Sequence, residues 1–307
     1  GTVCTREEMR GQGIGSRLMR YASEWMTHRG LALSCLHTNP RRYAFYERLG
    51  YRRAVVEQPR LMVNLSAAQP AGGITMRSAR ADDAEALGGP YAATYGRATG
   101  AWARSPAFWV RRLQGVPKLW SRALRFAVAA GGPPRAYAAY EETEGAGTVH
   151  ELGCAEGAEA EAVELLMHLL VGWRQAGVLA AELDLSSSHL LRPRVDHLVS
   201  DDRTGWDVVF VRAHDEGRLL GQLLPVLRER AAQAGAEMTD RPEGGVVLQG
   251  AGESVPLELG LTELAALMYN GRLAPSMAAL MPQLRRRGWT SALFPDTGAS
   301  RCGLDGY

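Results

Sequence analysis

The chain has 307 residues, 46% hydrophobic and 22% charged, with a formal net charge of +2; this is an ordinary globular balance for one large domain or two to three smaller ones. The small charge argues against a dedicated nucleic-acid binder, since the arginines are scattered and the densest run, Arg285-Arg286-Arg287, reads as a solvated helix end. No stretch is long and apolar enough to cross a bilayer, so no membrane partner is expected.

From the N-terminus, TVCTREEM leads into RGQGIGS and then a helix over residues 14–29. Ile14, Leu18, Met19, Ala22, Trp25 and Met26 share one face of it, and Gly30 supplies the stop. LALSCLH (31–37) reads as a buried strand. Asn39-Pro40 opens a short helix, RRYAFYERL, closed by Gly50. YRRAVVE and RLMVNL read as two more strands, and SAAQPAGG (66–73) as a linker.

A second unit follows. GITMRSA is strand-like, DDAEALGGPYAATYG is a helix broken at Gly-Gly-Pro, and SPAFWVRRL is a helix with a Ser cap and Pro at its start. LRFAVAA and RAYAAYEE flank GGPP as a hairpin. TVHELGC, EAEAVELLMHLLVGWRQAG and VLAAELDL read as strand, helix and strand. WDVVFVRAH is apolar and β-branched and is expected to open a third unit. There EGRLLGQLLPVLRERAAQAG is a long helix, GGVVLQG and SVPLEL are strands, and TELAALMYNG and PSMAALMPQLRRRG are helices before the tail SALFPDTGASRCGLDGY. The alternation predicts α/β or α+β units.

Cysteine and histidine placement limits the chemistry. Cys4, Cys35, Cys154 and Cys302 stand far apart without a CxxC pair, which fits a reducing, cytoplasmic setting and excludes a zinc ribbon. The histidines show no HExxH or HxH spacing, so no metal is expected.

Gly11, Gly13 and Gly15 precede a helix, and such a loop presents backbone N–H groups to an anion at the positive end of the helix dipole. A P-loop requires a Lys after the glycines, and none follows. A dinucleotide loop is nearly met by Gly11-x-Gly13-x-x-Ser16, but the next strand ends Leu36-His37-Thr38 with no acid for a ribose. The pattern [Q/R]xxGxG is met by Arg10-Gly11-Gln12-Gly13-Ile14-Gly15. A plain strand–helix turn would also use glycines here. Further on, after Asn39, stands Phe45-Tyr46-Glu47-Arg48-Leu49-Gly50-Tyr51.

The glycine pattern and the tyrosine helix, in this order, resemble those of the GNAT N-acetyltransferases. The resemblance covers residues 1 to about 65, the last half of such a domain, and an upstream part of roughly 70 residues is expected from usual element and loop lengths. Residues 74–205 look like a second, degenerate GNAT fold, and residues 206–307 like a sterol-carrier-like cap. That order resembles the Eis-type (enhanced intracellular survival) acetyltransferases, which modify amines of aminoglycosides and lysines and form homo-oligomers. The resemblance therefore implies an α/β (α+β) fold divided at 1–66, 74–205 and 206–307, and a homo-oligomer.

It also implies acetyl-CoA as co-substrate and a small cationic amine as partner. The pyrophosphate would lie on Arg10, Gly11, Gln12, Gly13, Ile14, Gly15 and Ser16, with Asn39 among the cofactor contacts. The pantetheine arm would pair with the backbone of Val3 and Thr5. In the second unit Glu156, Glu159 and Glu161 crowd the equivalent turn, where they suit the helix dipole themselves and would repel a pyrophosphate. Tyr46 would protonate the leaving thiolate. The amine must be neutral to attack; a lysine-like amine of pKa about 10.4 is neutral in only about one molecule in 10³ at pH 7, equivalent to about 4.6 kcal/mol. The resemblance gives the acceptor-side role to the C-terminal carboxylate, here that of Tyr307 if the natural chain ends there, with Asp305 adding charge. The competing class is a non-catalytic acyl-CoA-binding or interaction module.

Overall fold

Local signals place the first elements close to expectation. The structure, a computed structural model, describes residues 3–96, 103–114, 124–240, 246–250, 253–257 and 262. Helix α1 spans Ile14–His28, strand β1 Leu33–His37 and helix α2 Tyr43–Glu47. Strands β2 (Arg52–Gln58) and β3 (Leu61–Val63) follow. The packed line of α1 is centred on Met19 and Ser23, its two buried residues. Leu18 and Trp25, expected on that face, are both 49% exposed. At 100° per residue they sit roughly a third of a turn round from Met19 and Ser23. Strand β1 is half-buried throughout rather than buried, because it forms one edge of its sheet among the described strands.

The middle of the chain adds β4 (Met76–Ser78), α3 (Ala84–Tyr95), α4 (Pro106–Leu113), β5 (Arg125–Ala129), β6 (Ala136–Thr143), β7 (Ala146–Cys154), α5 (Glu159–Gln175), β8 (Ala180–Leu183), α6 (Arg192–Val195) and β9 (Val199–Asp202). Helix α3 runs unbroken through Pro90, against expectation. Proline removes one helical hydrogen bond; here Leu87, Pro90, Tyr91 and Tyr95 are all buried, and tertiary packing outweighs the local preference. One side of this unit's sheet packs on α5 through Leu165, Leu166, Leu169, Leu170 and Trp173. Each such side chain contributes about 1.5–3 kcal/mol of burial. Gly147 lies directly under Trp173, where a Cβ would stand 2.7 Å from the indole. A second cluster, Leu87, Tyr91, Tyr95, Trp109, Phe126 and Tyr137, joins α3 and α4 to β5 and β6.

The expected linker at 66–73 is folded against α5. Glu164 accepts from the amides of Ala71 (2.9 Å) and Gly72 (2.7 Å), Arg174 donates to the Leu65 carbonyl (3.2 Å), and Ala68 is fully buried.

Strand β10 is Gly205–Ala213. It does not start a separate sheet, as the sequence suggested. It lies between β1 and β2, antiparallel to β1, with Phe210 opposite Leu36 and Val209 opposite His37. Val209, Phe210 and Val211 are each 0–1% exposed, so this strand is apolar on both faces and fits a central place. Conversely, β3 leaves the first segment for the second unit's seven-stranded sheet, where Leu61 pairs with Leu183 of β8 and Asp202 of β9. The two sheets thus exchange strands, and sheet membership cuts across the boundaries at 66 and 206. One compact unit gathers the described residues up to Val56 and those from Val208 onward; the other holds Glu57–Asp207.

After β10, α7 (Glu216–Gln233) starts at Asp215, which accepts from the Arg218 amide at 2.9 Å. Strands β11 (Glu237–Asp240), β12 (Val246–Gly250) and β13 (Glu253–Leu257) form an antiparallel three-stranded sheet. Apart from Thr262, the two helices expected beyond residue 260 and the tail with Asp305 and Tyr307 lie outside the described residues.

Candidate functional site

The glycine loop and the tyrosine helix meet at one cavity of about 550 Å³ in the first unit. Its lining includes Val3, Thr5, Arg10, Gly11, Gly13, Ile14, Gly15, Ser16 and Tyr46 from the expected set, joined by Cys4, Met9, Thr38, Arg42, Phe45 and Arg48. Gln12 and Asn39 are not in that lining. Gln12 turns back to donate to the Glu8 carbonyl (3.4 Å), and Asn39 caps the 3-10 turn Pro40–Arg42 by accepting from the Arg41 amide (2.8 Å).

The loop geometry follows from its glycines. Gly11 and Gly13 have φ of +79° and +72°, and a Cβ at either would meet nothing within 4 Å. Backbone conformation, not crowding, selects glycine there. Gly13 is the N-cap of α1 and has no side chain to fill the helix end. The first helical bond runs from the Arg17 amide to the Gly13 carbonyl (3.0 Å). The amides of Ile14, Gly15 and Ser16 therefore lack intrahelical acceptors. Arg10, Arg42 and Arg48, all exposed, are also in the cavity lining. Arg10 leans on Glu7 (3.7 Å) and donates to the Thr5 carbonyl (3.5 Å). Free amides, a helix dipole and three cations suit a polyanion such as a pyrophosphate.

Tyr46 is half-buried in the lining of the same cavity. Its ring contacts Phe45 edge-on at 5.0 Å, Tyr51 edge-on at 5.8 Å and Phe210 at 6.0 Å. Burial, together with Tyr51, pushes the phenol above the ordinary tyrosine range, against the opposing pull of a Thr38 hydrogen bond and the Arg42 charge. Tyr46 is consequently a protonated donor at neutral pH. Tyr51 is 2% exposed and Tyr43 packs on Phe210 at 5.1 Å. Cys35, half-buried on β1, has its thiol pushed up by burial and stays a thiol.

Sequence reasoning passed over Thr38, Arg42 and Arg48. Arg42 stands four residues before Tyr46, one helical turn, and that spacing was the available signal. Phe210 had none, since it arrives on a strand from a distant part of the chain.

In the second unit, the turn that precedes α5 is occupied from within. The Gly157 amide donates to Glu159 within the turn (3.4 Å). On β7, Tyr95 accepts from the Leu152 amide (3.1 Å) and donates to its carbonyl (3.4 Å). Thr94 does the same for Cys154, at 2.8 and 3.1 Å. The backbone groups at the end of this strand are thus taken by the unit's own helix. Among the described residues no group of three or more His, Cys, Asp or Glu is arranged to hold a metal ion, and no helix is long and apolar enough to cross a membrane.

Residues 1–53 match the family model described as the acetyltransferase (GNAT) domain. No curated protein gives a significant match. Among solved structures, the chain is similar to a GCN5-related N-acetyltransferase from Kribbella flavida: 21% identity, TM-score 0.60, covering 98% of this chain and 76% of that one. It is also similar to a conserved protein from Enterococcus faecalis described as a probable N-acyltransferase (13% identity, TM-score 0.61, 94% and 77% covered). Eis1 from Mycobacterium abscessus aligns at 18% identity and TM-score 0.51, covering 96% and 77%. The fold is therefore mixed α/β of the GNAT type.

Proposed function

We propose that the chain is an acetyl-CoA-dependent N-acetyltransferase acting on an amine of a small cationic molecule, such as an aminoglycoside or polyamine, or on lysine. The observation that carries this reading is one cavity lined both by an open helix N-terminus and by the half-buried phenol of Tyr46. A site for the anionic half of a thioester carrier alone needs no acid in its lining. The amides of Ile14, Gly15 and Ser16 hold the pyrophosphate, with Arg10, Arg42 and Arg48 supplying charge. Attack of the amine nitrogen on the thioester carbonyl forms the C–N bond. As the C–S bond breaks, Tyr46 gives its proton to the departing sulfur, and the phenolate recovers one from the amine through water. A positioned acid of this kind is worth about 10²- to 10⁴-fold. On the acceptor side, the Tyr307 carboxylate as ammonium holder remains a proposal from the Eis-type resemblance, as do the homo-oligomer and the cytoplasmic setting. We further propose that the second unit takes no acetyl-CoA, because Thr94, Tyr95 and Glu159 already use the backbone groups that it would need.

The test is calorimetry with acetyl-CoA of the chain joined to its expected upstream part, followed by CoA release with kanamycin, spermidine and a lysine peptide as acceptors. One site per chain and release with at least one acceptor are expected. Binding with no release from any amine favours the non-catalytic module, and no binding overturns the reading.

A further inference from the structure

Three alternate residues from one distant strand build the seat of Tyr46. Phe210, Arg212 and His214 stand two apart on β10 and just past its end, which puts them on one side of the sheet. The Phe210 ring lies 6.0 Å from that of Tyr46. Arg212 donates to the Leu49 carbonyl (2.6 Å), just past the helix that carries Tyr46, and its guanidinium lies 6.0 Å over the Tyr51 ring. His214 is hydrogen-bonded through both ring nitrogens: Nδ1 with the buried Ser23 hydroxyl of α1 (3.1 Å), and Nε2 with the Ser34 hydroxyl of β1 (2.7 Å). Ser34 is in turn bonded to the Tyr51 hydroxyl (3.0 Å). Tyr51 then holds Tyr46 twice. Its amide donates to the Tyr46 carbonyl (3.2 Å), and its ring meets the Tyr46 ring edge-on at 5.8 Å. A buried phenol needs a partner for its hydroxyl, so the bond to Ser34 ties down the far end of the Tyr51 ring.

We propose that His214 and Ser34 are positioning residues for acetyl transfer: their hydrogen bonds fix Tyr51, and Tyr51 fixes the ring of Tyr46 whose O–H protonates the departing sulfur. The proposal rests on the acetyl-transfer reading above. Neither residue touches the reacting atoms, and no covalent bond to either forms or breaks. A neutral imidazole donates from one nitrogen and accepts at the other, so it bridges the two serine hydroxyls with both nitrogens in use. Burial and the Arg212 charge push the His214 pKa below the ordinary histidine range, which keeps that neutral form at pH 7. Proton transfer demands hydrogen-bond reach between acid and leaving atom, and a ring free to tilt would lose it.

The experiment reads the Tyr46 ring and the rate separately, on the same protein as the acetyl-CoA test above. Tyrosines are replaced by 3-fluorotyrosine, and the ¹⁹F signals of positions 46 and 51 are identified by their loss in Tyr46→Phe and Tyr51→Phe. Ser34→Ala cuts the string of hydrogen bonds at its middle, His214→Phe keeps a ring and removes both nitrogens, and Ser34→Thr keeps the hydroxyl. Ser34→Ala and His214→Phe should each move the signals of positions 46 and 51. Ser34→Thr should leave both near their original places, and the second unit's tyrosines should stay still throughout. In Ser34→Ala, kcat should fall by about two- to tenfold, the size of one hydrogen bond, with acetyl-CoA affinity unchanged, and Ser34→Thr should recover most of the rate. In a Tyr46→Phe background Ser34→Ala should cost nothing further, because no acid is left to position. A still position-46 signal in both cutting variants, or the same loss of rate with and without the Tyr46 hydroxyl, overturns the proposal. A moved position-46 signal without CoA release from any amine defeats the acetyl-transfer reading, while His214 and Ser34 still govern the Tyr46 ring.

Discussion

The most informative substitution is at Gly13, because the structure separates backbone from charge there. With φ at +72° and nothing within 4 Å of a built Cβ, the cost of adding a Cβ is conformational rather than steric. Alanine meets that strain alone, about 1–2 kcal/mol. Asn and Asp tolerate the left-handed region and are good N-caps, so both should leave the helix nearly as stable as glycine does. The two differ by one charge. A carboxylate about 4 Å from a bound phosphate, at an effective dielectric near 20, repels it by about 4 kcal/mol, or roughly 10³-fold in affinity. It would also occupy an amide that the anion needs. Isothermal titration with acetyl-CoA should therefore show Gly13→Asn binding within about tenfold of the natural chain and Gly13→Asp weakened by 10²- to 10³-fold, with both melting within a few degrees of it. Equal affinity of the Asn and Asp variants would refute the reasoning, since the anion would then not approach the start of α1.

Three other outcomes are expected. Tyr46→Phe should lower kcat by about 10²- to 10⁴-fold while acetyl-CoA affinity holds, and because burial keeps the phenol protonated, the rate of the natural chain should not fall through loss of this proton until the pH exceeds the ordinary tyrosine range; a fall below threefold would make Tyr46 a packing residue. His189, buried and paired with Tyr95 at 3.2 Å, has its pKa pushed by burial from 6.5 down to about 4; the unfolded chain then binds the proton first, so stability is full above pH 6.5 and declines by up to about 3 kcal/mol as the pH falls to 4, a slope in urea-unfolding data that His189→Gln should flatten. The fully buried Glu151 receives Arg104 (2.8 Å) and Tyr137 (3.0 Å), so Glu151→Ala should destabilise by about 3–5 kcal/mol in the same measurement.

Much of the site was legible because its parts are local. The glycine loop, the helix it opens and Tyr46 lie within 37 residues counted from Arg10 to Tyr46, and each is marked by backbone chemistry that only certain residues provide. Most strands also announced themselves, down to the β5–β6 hairpin, but the short β9 and β11 did not. What stayed hidden was partnership. A run such as Val208–Val211 says that it is buried on both faces, but not between which neighbours, and apolar strands are interchangeable by pattern alone. Helix α3 was misread at Pro90 for a related reason, since the tyrosines and leucine that hold it find their partners far along the chain. Arg42 and Thr38 look like ordinary loop residues until the cavity collects them.

The exchange of β3 and β10 has a consequence for biosynthesis. After β2 leaves the ribosome, about 150 residues must be made before β10 exists to fill the gap between β1 and β2; at about 5–20 residues per second that is roughly 7–30 s. Throughout that interval the unit bearing Tyr46 lacks its central strand and Phe210, and exposes apolar edges that pair readily with other chains. The glycine loop and its helix are translated before the second unit, yet their surroundings are completed only after that unit has been made. A stall or a cleavage within residues 59–204 would therefore leave an open sheet in place of a smaller working enzyme.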